Sequence, residues 1–122
     1  MAGNMNAKPY DLAGRTFLFA KEVREFAQTY PKNNLKLSDI QQLIRSSGSV
    51  GANYIEANES LGKKDFRMRI KISRKEAKES EYWLKLLKAD NPQIESMRVR
   101  LEKEARELTL IFSAILQKHQ ST

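Results

Sequence analysis

The one histidine of the chain, His119, sits in the polar C-terminal segment KHQST. A Ser/His/Asp triad or a histidine-centred acid–base pair therefore finds no support. Helical bundles can hold a di-iron site through Glu-x-x-His motifs on two helices, but the residue three before His119 is Leu116. Cysteine is absent, which removes disulfides and thiolate metal sites together. A phosphate-binding loop of the GxxxxGK[ST] type is not matched, because Gly62 is followed by Lys63 and Lys64 and Ala57 stands five before it. Glu76 and Glu79 share their segment with many Lys and Arg, where carboxylates form ion pairs more readily than they catalyse. Catalytic residues, metal ligands, cofactors and a small-molecule substrate are not expected.

Positive charge is what remains. Residues 63–90 carry ten Lys or Arg against five Asp or Glu, so this segment supplies most of the chain's net +7. In a helix, 100° steps gather Arg67, Lys71, Arg74, Lys78 and Lys85 into one narrow sector. Such a row offers a cation at nearly every turn, which is what a phosphate backbone needs. An ordinary solvated face, partly neutralised by Glu76, Glu79 and Glu81, has the same composition. Net charge of this sign favours nucleic acid, acidic proteins or anionic membranes without choosing among them.

Four helices are needed to position these residues. The first starts at Asp11 as N-cap and stops before Pro31, with Leu12, Phe19, Val23, Phe26 and Tyr30 on one face. PKNNLKL, residues 31–37, reads as a loop. The second helix begins at a capping box of Ser38 and Gln41, and its stripe is Ile40, Leu43, Ile44, Ser47, Gly51 and Tyr54. The third spans 63–89 with Phe66, Ile70, Ser73, Ala77, Ser80, Leu84 and Leu87 inward. Asn91 and Pro92 open the fourth, which buries Ile94, Met97, Leu101, Ala105, Leu108, Phe112 and Ile115. An all-α, antiparallel up-down-up-down four-helix bundle follows. Its domain is 10–117, between a flexible tail at 1–9 and a frayed tail at 118–122. With no apolar leader and no membrane-spanning run, a soluble cytoplasmic protein is expected.

Two features remain unexplained by a simple bundle. RSSGSVGAN, residues 45–53, is poor in helix formers, and a helical glycine costs about 1 kcal/mol against alanine. Ser47 and Gly51 on the core stripe predict close approach to the third helix, at Ser73, Ala77 and Ser80. Met68, Ile72, Tyr82 and Leu86 form a second apolar set opposite the third helix's core face, and Phe17, Val99 and Leu110 are also off-stripe. A helix apolar on two sides predicts a subunit interface. Tyr82 and Trp83 could stack on bases, although packing suits their spacing better.

LIRSSGSVGANYIEANES (43–60) and RIKISRKEAKESEYWLKLL (69–87) together resemble the four-helix-bundle proteins encoded in intervening sequences of bacterial 23S rRNA genes. The resemblance extends from YDLAGRTFLFAKEV, starting at residue 10, into the fourth helix. The matching positions include Arg45, Ser47, Gly48, Gly51, Asn53, Glu56, Arg74, Glu76 and Glu79. Relatives include the accessory variability protein of diversity-generating retroelements, which assists a reverse transcriptase. That kinship implies a homopentameric ring with basic surfaces engaging nucleic acid and protein partners. The expectation is a non-enzymatic, oligomeric accessory protein that binds RNA or DNA through the third helix. The alternative is a scaffold whose basic face docks an acidic protein.

Overall fold

The structure, a computed structural model, describes residues 11–31 and 33–120, so the expected tail at 1–9 and the last two residues lie outside the described part. Among the described residues there are four helices and no strand. Helix α1, Leu12–Thr29, is capped by the Asp11 carboxylate, which accepts from the Gly14 N–H. It ends at Tyr30, whose extended backbone is what a residue before proline requires.

Helix α2, Asn34–Asn58, starts earlier than expected. Asn33, not Ser38, is its cap, accepting from the N–H groups of Leu35 and Lys36 at 3.0 and 3.2 Å. Much of PKNNLKL is therefore helical. Leu35 and Leu37 are exposed, so the first turn of α2 has no buried stripe to announce it. Helix α3, Lys63–Leu86, stops three residues short of the predicted end. Leu87 leaves the helix with its side chain fully buried, and the Lys88 carbonyl accepts instead from the Tyr30 hydroxyl. Helix α4, Pro92–Lys118, begins as expected, with Asn91 accepting from Gln93 and Ile94. It continues through Lys118, where the carbonyls of its end meet Arg67.

Packing is densest between α2 and α3, then between α3 and α4, and thinnest between α1 and α4. Every predicted stripe residue of α1 is buried, and so are Ile40, Leu43, Ile70, Ala77, Leu84, Leu87, Leu101, Ala105, Leu108 and Phe112. Ile44, Tyr54, Phe66, Ile94, Met97 and Ile115 are half-buried against that core. A fully buried Leu, Ile or Phe contributes about 1.5–3 kcal/mol, so this core dominates stability. Tyr54 and Phe112 close its centre with ring centroids 6.1 Å apart. Thr16, Ser46, Val50, Ala57, Glu76, Arg98 and Leu116 are buried without having been placed inside by periodicity. No helix among the described residues is long and apolar enough to cross a membrane.

Candidate nucleic-acid interface

The small residues of α2 let it lie against two neighbours at once. Toward α3, the Ser46 and Ser80 hydroxyls share a hydrogen bond of 2.9 Å, and Ser73 donates to the Val50 carbonyl at 2.9 Å. Toward α1, Arg24 donates to the Ser47 hydroxyl at 3.4 Å and to the Ile44 carbonyl at 3.2 Å. Gly51 also faces α1: a Cβ built there would stand 2.9 Å from Thr16 Oγ1. The expectation that Ser47 and Gly51 meet Ser73, Ala77 and Ser80 is thus corrected. One residue along a helix turns the face by about 100°, and the side of α2 that meets α3 belongs to Ser46 and Val50. Gly48 leaves room for the Arg24 guanidinium, whose nearest atom would lie 3.0 Å from an added Cβ.

A charged cluster closes the outer edge of the α2–α3 seam. Arg45 pairs with Glu79 and reaches Glu76 Oε1 at 3.3 Å. Glu79 also accepts from the Trp83 indole at 3.1 Å. Burial works against charge on Glu79, but the hydrogen bonds from Trp83 and Arg45 outweigh it and hold the carboxyl below its usual range. The same bond to Glu79, aided by Glu76, raises the Arg45 pKa. Glu76 is only 7% exposed, and its Oε1 accepts no hydrogen bond among the described residues. Further along, Asn53 donates to the Ser49 carbonyl and accepts from Arg69 at 3.0 Å. Of the motif residues, Arg45, Glu76 and Glu79 are brought together, while Glu56 stays exposed on α2. This cluster ties α2 to α3 along that edge.

The five basic residues singled out on α3 divide into two groups. Arg67 is half-buried and donates to the carbonyls of Leu116 and His119, both at 2.7 Å. Arg74 is half-buried and donates to the Ser113 hydroxyl at 3.3 Å. Lys85 pairs with Glu81 at 3.4 Å, and Glu81 also holds Arg106 at 3.1 Å. Arg67 and Arg74 thus face α4, and Lys85 is linked to it only through Glu81. Lys71 and Lys78 project outward and make no salt bridge among the described residues. Lys75, which sequence reasoning passed over, is exposed beside them, and its charge also helps lower the Glu79 pKa. Its signal was present: residues 71, 75 and 78 are spaced by four and three, as one helix face demands.

The apolar set borders this strip. Met68, Tyr82 and Leu86 are 54%, 56% and 45% exposed, whereas Ile72 and Trp83 are half-buried. Phe17, Val99 and Leu110 are exposed on α1 and α4.

Two further charged sites were not anticipated. Arg98, 4% exposed, donates to Glu95, to Glu102 and to the Leu84 carbonyl. Its bond to Glu95, then that to Glu102, raises the Arg98 pKa, while Glu95 is held at about 2 by Arg98 and by the Ala89 N–H. The spacing Glu95, Arg98, Glu102 is the signal that would have found it. Between α1 and α4 lies an open groove of about 720 Å³, lined by Leu18, Phe19, Glu22 and Arg100 among others. Arg15 spans it to Glu104 at 2.7 Å and Glu107 at 2.8 Å. Among the described residues no cluster of His, Cys, Asp or Glu has the makings of a metal site.

Against known proteins, a family model described as 23S rRNA-intervening sequence protein matches residues 9–114. A crystal structure from Bacteroides thetaiotaomicron, described as a protein of unknown function from the S23 ribosomal protein family, superposes with a TM-score of 0.75. It is 24% identical, and the match covers 86% of this chain and 97% of that one, so the likeness concerns the fold. No curated protein matches.

Proposed function

The chain belongs to the 23S rRNA-intervening sequence protein family, and from that premise we propose that it is a non-enzymatic accessory protein that binds nucleic acid through α3. The observation that carries this reading is the outward strip of Lys71, Lys75 and Lys78, which make no salt bridge among the described residues. Unpaired lysines in a row release counterions when they meet phosphates, which is the main source of affinity for a polyanion. In this reading the helices run up-down-up-down. Support comes from the α2–α3 contacts, where residues 46, 50 and 53 meet 80, 73 and 69 in reversed order. The protein works in the cytoplasm as a homo-oligomer, five copies being the count its resemblance implies. The kinship with the retroelement accessory protein that the resemblance implies extends the proposal to a protein partner of the reverse-transcriptase kind.

A second reading, a scaffold that docks an acidic protein, draws support from Met68 and Leu86 beside the lysines. Titrations with RNA and DNA at increasing salt separate the two. Binding should weaken with a log–log slope of about −0.7 to −0.9 per phosphate contacted. Lys71→Glu with Lys78→Glu should reduce both affinity and slope while helical content stays the same. Absence of binding to any nucleic acid at low salt defeats the first reading.

A further inference from the structure

We infer that the nucleic acid taken by this face is single-stranded, with phosphates along Lys71, Lys75 and Lys78 and an unpaired base on Tyr82. The inference rests on the nucleic-acid reading above and narrows it.

Residues 71, 75, 78 and 82 step along α3 by four, three and four, which confines them to a sector of about 60° and a length of about 16 Å. Three exposed cations thus lead directly to an exposed ring. Tyr82 is braced: its ring meets Trp83 edge to face, with centroids 5.1 Å apart and planes at 72°. Trp83 is itself anchored by its indole N–H on Glu79, which Arg45 grips from α2. The ring is therefore held in place while 56% of the residue remains in solvent. An isolated lysine strip suits duplex and single strand equally, so the aromatic decides. In a duplex the base faces are covered by their neighbours, whereas an unpaired strand offers a base face beside each phosphate. Met68 and Leu86, also exposed, flank the Lys75 side of this face.

The test uses the chain's one tryptophan, Trp83, whose emission reports on the surroundings of Tyr82. A short oligothymidylate, an oligouridylate and a duplex of equal length are titrated at low salt. The single strands should quench Trp83 saturably and bind several-fold more tightly than the duplex. Tyr82→Leu, which keeps bulk but removes the π face, should weaken single-strand binding by about five- to a hundredfold. Lys75→Gln should reduce the salt slope by about 0.7. Duplex binding equal to single-strand binding, or full affinity in Tyr82→Leu, overturns the inference but leaves the nucleic-acid reading intact. Silence with every nucleic acid removes both. A Tyr82→Leu protein whose light-scattering mass changes while its affinity does not assigns Tyr82 to a subunit contact, and that too overturns it.

Discussion

Gly48 and Gly51 stand one helical turn apart on α2 and tolerate a methyl group very differently. At Gly51 the added carbon would lie 2.9 Å from Thr16 Oγ1 and 3.2 Å from its Cβ. The threonine is held in place because its hydroxyl donates to the Leu12 carbonyl at 2.9 Å. Gly51→Ala should therefore cost about 1–3 kcal/mol in overpacking, which cancels or exceeds the gain of about 1 kcal/mol in helix propensity. At Gly48 the obstacle is the end of Arg24, which can swing aside, so Gly48→Ala should be neutral or stabilising. Thermal melts compare the two, and Thr16→Ala should rescue part of the Gly51→Ala loss. Equal melting temperatures for Gly48→Ala and Gly51→Ala would refute the assignment. Glu95 gives a pH dependence. Its carboxyl falls from 4.5 to about 2 on folding, so the stability it contributes is complete above pH 4.5 and is lost as the pH drops toward 2. Urea midpoints followed over that range should decline less steeply in Glu95→Gln. Residue types hid both sites from sequence reasoning: an arginine such as Arg98 is assigned to solvent by default, and spacing alone does not say which neighbour a small residue meets.

Helices were legible in kind because the buried stripes of α1, α3 and α4 repeat without interruption. Their ends were legible where only one cap was on offer, as at Asp11 and at Asn91 with Pro92. At the start of α2 the cap is Asn33 rather than Ser38, and no buried periodicity marks the turn between them. Asn33→Ala should cost about 1 kcal/mol, since two backbone N–H groups lose their acceptor. Ser38→Ala should leave stability nearly unchanged. Denaturant unfolding of both variants decides it, and the reverse ranking would return the helix start to Ser38. At the early end of α3, Leu87 is the C-cap and stays fully buried although its backbone has left the helix. Of the basic strip, Lys71 and Lys78 are exposed on α3. Arg67 and Arg74 were not separable from them, since an arginine at the edge of a face can turn to a neighbouring helix that the sequence does not locate.

At the level of the molecule, Phe17, Leu18, Met68, Leu86, Val99 and Leu110 leave apolar surface exposed on three helices. Light scattering at micromolar concentration should give a multiple of 14.1 kDa, with five copies favoured by the resemblance. A mass of one chain would end that expectation. The same fold has a consequence in time. Hydrogen bonds from Arg15 to Glu104 link residues 89 apart in the chain, whereas α2 meets α3 and α3 meets α4 through short connections. Loop-closure entropy delays such distant contacts, so the α1–α4 groove should zip shut after the folding barrier is crossed. Glu104→Gln should then speed unfolding and leave the refolding rate nearly unchanged. The groove that looks like the weakest part of the packing would then be, in kinetic terms, the latch that sets how long the native state lasts.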